Sequence, residues 1–132
     1  MNIVGVQVED GTAVLSASAA QTATFTTAKQ DGFKNCDSWV FQVNVTAISG
    51  TGATLDGKLQ DSFDSGTTWQ DVPNGAITQI VLAGGAIIQS VRSSSTPLCS
   101  MVRAVFTIAG TTPSITFSAS LYAKAKKTIG AS

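Results

Sequence analysis

The sequence predicts an all-β protein, an antiparallel β-sandwich or jelly roll of about eight or nine short strands. Two observations carry this. Apolar and polar residues alternate with period two in several segments, the pattern of strands that bury one face. Clusters of Gly, Pro, Asn, Asp and Ser separate those segments, and no long window shows a helical 3.6-residue period.

Taken in order, Ala13–Ala17 and Thr22–Thr27 are short strand candidates. Trp39–Ile48 is stronger: Trp39, Phe41, Val43, Val45 and Ala47 share one face, opposite Val40, Gln42, Asn44, Thr46 and Ile48. Ser49-Gly50-Thr51-Gly52 is expected to end that strand in a turn. Ala53–Phe63 follows, with Leu55, Leu59 and Phe63 inside and Asp56, Lys58, Gln60 and Ser62 outside. Asp64-Ser65-Gly66-Thr67 is expected to close a hairpin, and Pro73-Asn74-Gly75 to make a further turn. Ile77–Leu82 and Ile87–Val91 are strands flanking a turn at Gly84-Gly85. Val102–Ile108 and Ile115–Ala123 alternate cleanly on either side of a turn at Gly110-Thr111-Thr112-Pro113. Ala123–Lys127 has room for one helical turn before Gly130. Residues 1–132 read as one sandwich domain with short arms at about 1–10 and 124–132.

Composition narrows the function. Charged residues make up 12% of the 132 residues, Lys+Arg and Asp+Glu balance at 8 each, and there is no histidine. A neutral chain lacks the clustered positive charge that displaces counterions from nucleic acid. Without histidine the usual general base near neutral pH and the commonest zinc ligand are missing, so no enzymatic activity is expected. The 15 Ser and 17 Thr match a turn-rich β domain. The longest strongly apolar stretch, Ile80–Ile88, contains Gly84 and Gly85 and is too short to cross a membrane, and the first ten residues lack a signal-peptide pattern. A soluble protein made in a cytosol is expected, with no membrane partner. Cys36 and Cys99 lie far apart and outside any CxxC spacing, so two small buried apolar groups are expected, with a single disulfide as the alternative.

Ser62-Phe63-Asp64-Ser65-Gly66-Thr67-Thr68-Trp69 fits the pattern S-x-D-x-G-x-T-W. It resembles the Asp-box of sialidases, where the motif builds a hairpin and not a catalytic centre. Ser62, Asp64, Gly66, Thr68 and Trp69 are therefore candidates for a structural turn: Asp64 accepting backbone N–H groups, Gly66 at positive φ, Trp69 folded back on the hairpin. Asp56, Asp61, Asp64 and Asp71 gather around the same hairpin. A solvated acidic rim is the expected reading, ahead of a calcium site or a carboxylate pair for glycoside hydrolysis. Neither metal nor cofactor is expected. Of the residues that could stack on a sugar, Trp39 falls on a core face, Trp69 belongs to its turn, and Tyr122 alone points outward. Lys124, Lys126 and Lys127 form a small basic end, and Glu9 and Asp10 a small acidic one. Solvated ends are expected, with contacts between copies as the alternative.

The segments Gly50–Pro73 (GTGATLDGKLQDSFDSGTTWQDVP) and Val102–Leu121 (VRAVFTIAGTTPSITFSASL) resemble a family of small virion structural proteins of tailed bacteriophages. The resemblance implies a part of the particle and carries no catalytic residues. A capsid decoration, or cement, protein that clamps the major capsid protein lattice from outside is the first expectation, a head–tail or tail component the second. By analogy with other cement proteins a homotrimer is expected. The runner-up from another class is a carbohydrate-binding module on the virion surface.

Overall fold

The computed structural model describes residues 10–34, 36–81, 87–93 and 96–125. Its elements are β1 (Asp10–Gln21), β2 (Phe25–Thr26), β3 (Gln30–Asp31), β4 (Cys36–Ser62), β5 (Gln70–Ala76), β6 (Ile80–Val81), β7 (Ile87–Ser93) and β8 (Met101–Ala125). The fold is all-β, and every pairing is antiparallel.

One long ribbon organises the rest. β4 and β8 pair from Cys36↔Ala125 through Ser49↔Ser114 and Thr51↔Thr111 to Ser62↔Met101. The ribbon bends in its middle, where the register slips twice around Thr51. Before the bend, β4 and β8 are flanked by β7 and β1, giving the order β1–β8–β4–β7. After it, β2 and β3 lie beside β8, and β5 and β6 beside β4. The two halves form the two layers of a sandwich.

The expected turns at 49–52 and 110–113 are thus corrected. They are a corner in two continuous strands, and pairing persists because both strands bend together. Gly50 and Gly110 make the corner possible. Gly50 has φ 109°, and a Cβ there would lie 2.7 Å from the Pro113 Cα; Gly110 has φ 123°, and its Cβ would lie 2.8 Å from the Ala53 Cα. Pro73-Asn74-Gly75 likewise sits inside β5. It forms a bulge, with Asn74 at φ 62°, between the pairs Gln60↔Asp71 and Lys58↔Ala76. Ala123 continues β8 as strand through Ala125, not as a helical turn, and the Gly84-Gly85 turn lies outside the described residues.

Alternation decides the core. Trp39, Phe41, Val43 and Val45 are buried from one layer, and Leu55, Leu59, Val102, Ala104 and Phe106 from the other. Phe106 bridges them, with ring centroids 4.8 Å from Phe117, 6.2 Å from Phe41 and 5.4 Å from Phe25. Rings at these spacings combine large apolar burial with favourable tilted contacts. Phe63, expected inside, is 70% exposed. The inward run ends with the buried pair Asp61 and Ser62, which breaks the alternation and turns the next side chain outward. At this end of the sandwich the layers are stitched by Leu98 N–H to the Cys36 carbonyl (2.8 Å) and Phe33 N–H to the Ser100 carbonyl (3.1 Å).

Candidate functional site

The hairpin between β4 and β5 brings Ser62, Asp64, Gly66, Thr68 and Trp69 together. The Asp64 carboxylate accepts the Ser62 hydroxyl and the Thr68 N–H, each at 2.7 Å. The Ser62 Oγ accepts the Gly66 N–H at 2.9 Å. Ser65 and Gly66 take positive φ, which closes the turn. The Trp69 indole N–H donates to the Gly66 carbonyl at 3.0 Å, and the Arg103 guanidinium covers the ring at 4.2 Å. Hydrogen bonds from the Thr68 N–H and then Ser62 hold the Asp64 carboxyl at a pKa of about 2. The indole face is occupied by Arg103 and the carboxylate by its own loop. The network holds a turn and presents no reactive group.

The four aspartates do not converge. Asp56 accepts from Gln79 (2.9 Å), and Asp71 from Lys58 (3.1 Å) and Gln60 (2.9 Å). Asp61 departs from the expected solvated rim: it is buried, and its Oδ2 accepts the Cys99 N–H at 3.0 Å. That contact ties the 96–100 segment to β4 and uses a backbone donor that would otherwise be left without a partner. Among the described residues no His, Cys, Asp and Glu group has metal-binding geometry.

Neither cysteine is in a disulfide. Cys36 is buried, and Cys99 is half-buried at the margin of an open depression of about 330 Å³ beside Phe63. Burial pushes the Cys99 thiol up, and the neighbouring Asp61 carboxylate adds to the shift. Trp39 is in the core, its indole N–H on the Thr96 carbonyl at 3.0 Å. The strand register sets Asp10 opposite Lys124. Glu9, Lys126 and Lys127 lie outside the described residues.

The outer faces of the two layers differ in chemistry. On the layer after the bend, Asp56, Lys58 and Gln60 of β4 stand beside Asp71 and Arg103. Lys58 pairs with Asp71 at 3.1 Å, and Arg103 donates to Gln60 at 2.9 Å. This ladder of charge pairs with its own neighbours. The layer before the bend is different. Its strand register aligns Tyr122–Val40–Arg92, then Val14–Ser120–Gln42–Ser90, then Ser118–Asn44–Ile88. Arg92 is the one charge in these rows, and Val14 (61%), Ile88 (60%) and Tyr122 (47%) stand exposed among them. This face thus exposes one aromatic and two aliphatic side chains among hydroxyls and amides, with Arg92 on its β7 edge. Sequence alternation marks Gln42, Asn44, Ser118 and Ser120 as outward. It does not mark the joining of Val14 and Ile88 to Tyr122, which depends on strand order.

No family of known proteins matches the sequence, and no curated protein is similar to it in sequence. Solved structures are similar in fold. The infectious bursal disease virus VP2 of a subviral particle superposes with TM-score 0.58 at 15% identity, covering 92% of this chain and 33% of that one. This chain therefore spans about a third of the length of that virus protein. The C-terminal family 22 carbohydrate binding module of Clostridium thermocellum Xyn10B gives 0.52 at 18% identity, over 93% and 84% of the two chains. The enzymatically active domain of bacteriophage CBA120 tailspike protein 4 gives 0.51 at 10% identity, over 93% and 20%. These likenesses place the fold among β-sandwiches.

Proposed function

We propose that this chain is a structural component of a bacteriophage virion, a capsid decoration protein that lays its sparsely charged face on the major capsid protein lattice. The outer face of the β1–β8–β4–β7 layer is the observation that carries this reading. Packing the centre of that face against protein desolvates hydroxyls, amides and apolar groups, with Arg92 at its β7 edge and Lys124 at its end to accommodate. The opposite, charge-laced face suits solvent. The fold shared with a virus particle protein and the phage-like segments Gly50–Pro73 and Val102–Leu121 support the same reading. In it the protein performs no catalysis, uses no cofactor, and is made in the host cytoplasm before joining the particle surface.

Four strands about 4.8 Å apart and some six residues long offer roughly 400 Å² of projected face, about half of what one partner contributes to a standard interface. A single copy then holds weakly, and many copies together clip the shell. Gln42→Lys and Ser120→Lys each place an unpaired charge at the centre of the face. Binding to shells lacking the protein, read by co-sedimentation, is expected to weaken about 30-fold or more. Lys58→Gln on the charged face is expected to leave it unchanged. Equal binding by all three variants would refute the docking face. Copy number in purified particles separates shell decoration, in the hundreds, from a head–tail or tail component.

Carbohydrate binding by the same face is the second reading. It draws on the near whole-length likeness to the family 22 module and on exposed Tyr122. Saturable binding on a glycan array, lost in Tyr122→Ala, would favour it over decoration.

A further inference from the structure

Sheet edges expose rows of backbone N–H and C=O groups, and proteins guard them with short strands, prolines, bulges or charge. Apart from β7, the edges described here are short, interrupted or irregular. β2, β3 and β6 are two residues long. β5 is broken by Pro73 and the Asn74 bulge, and β1 slips register twice against β8. β7 is the longest regular edge, and a single charge, Arg92, is its one such device. It pairs with β4 without slippage from Ile87↔Val45 to Ser93↔Trp39 and contains no Pro, Gly or Lys. Among the described residues no strand pairs with its other side. Ile87 and Val91 pack against the core yet remain half-buried, leaving apolar surface wet along this margin.

We propose that β7 is the edge through which two copies of this chain pair, antiparallel, about a two-fold axis at Ser90. Ser90 is the middle residue of Ile87–Ser93, so centring there pairs all seven residues. Ser90 then faces Ser90 of the second copy, Gln89 faces Val91, and Ile88 faces Arg92. The two Arg92 side chains fall four positions apart, about 13 Å, beyond the screening length of about 8 Å at physiological salt. Each arginine stem lies along an exposed Ile88. No like charges oppose one another, and the same strand serves both sides, as an isologous contact requires. Pairing joins the two four-stranded layers into one eight-stranded sheet. It doubles the sparsely charged face to roughly 800 Å², the share one partner contributes to a standard interface. The pairing rests on the edge and holds whether or not the protein belongs to a virion.

Sedimentation of the full chain from micromolar to near-millimolar concentration tests this. The wild type is expected to move reversibly from monomer to dimer. Ser90→Lys sets two ammonium groups directly across the axis and is expected to weaken the dimer several-fold with unchanged thermal unfolding. In a Cys99→Ser background with oxidised glutathione as oxidant, Ser90→Cys brings two Cα atoms to about 5 Å, within disulfide range, and cross-links. Ile88→Cys, about 13 Å from its counterpart, does not. A wild type that stays monomeric, forms trimers, or dimerises as well with Lys at position 90 overturns the proposal. So does equal cross-linking by the two cysteine variants, a readout that stands even where Ser90→Lys fails to fold.

Discussion

Gly50→Ala tests the corner of the ribbon. Two effects act at this site. The φ of 109° places an L side chain in a region it rarely adopts, which costs about 1–2 kcal/mol. The added Cβ also lands 2.7 Å from the Pro113 Cα, 2.8 Å from the Thr112 carbonyl oxygen and 3.0 Å from that of Thr111. These are backbone atoms and cannot rotate away, so the strands must separate next to the Thr51↔Thr111 pair. Overpacking of this kind adds about 1–3 kcal/mol. The expected loss is about 2–5 kcal/mol, a large part of the roughly 5–15 kcal/mol that holds a domain folded. Gly32→Ala isolates the first effect, because Gly32 has φ 99° with nothing within 4 Å of its Cβ position. Its expected loss is about 1–2 kcal/mol. Urea unfolding followed by the fluorescence of buried Trp39 measures both. Equal losses at the two glycines would show that the corner is not crowded and would refute the reasoning.

Two further outcomes follow from the hairpin and its surroundings. The Asp64 carboxyl has a folded pKa of about 2 against 3.8 ordinarily, so its contribution is present above pH 4 and is lost as pH falls from about 4 to about 2. Urea unfolding across that window is expected to fall less steeply for Asp64→Asn than for the wild type, and matching slopes would show that the turn does not hold the charge. The Cys99 thiol, raised by burial and by Asp61, is expected to react slowly with a disulfide reagent at pH 8, and Asp61→Asn to speed it, since the thiolate is the reacting form. An unchanged rate would remove Asp61 from the account.

The strands were legible wherever side chains alternate, as in Trp39–Ile48 and Val102–Ile108, because period two is a local signal. The corner was not. Gly50-Thr51-Gly52 has the composition of a loop, and only the partner strand, bending with it at Gly110, keeps it paired. Phe63 falls outside because Asp61 and Ser62 are both drawn inward, Asp61 by a backbone N–H of the distant Cys99 and Ser62 by its own turn. The sparsely charged face was half visible. Gln42, Asn44, Ser118 and Ser120 read as outward, while the placement of β1 and β7 beside them is non-local. The regularity of β7 has no sequence signature, since it shows only by comparison with the shorter or bulged strands.

A ribbon that runs through both layers also sets the order in which the chain can fold. Ser62 and Met101 are the paired residues nearest in sequence along it, and Cys36 and Ala125 the most distant. Closing the shorter loop first loses the least chain entropy. Zippering then starts in the charged layer, rounds the glycine corner, and reaches the smooth layer last. Contacts this far apart in sequence fold slowly. Along the ribbon, the layer flanked by β1 and β7 therefore closes after the charged one.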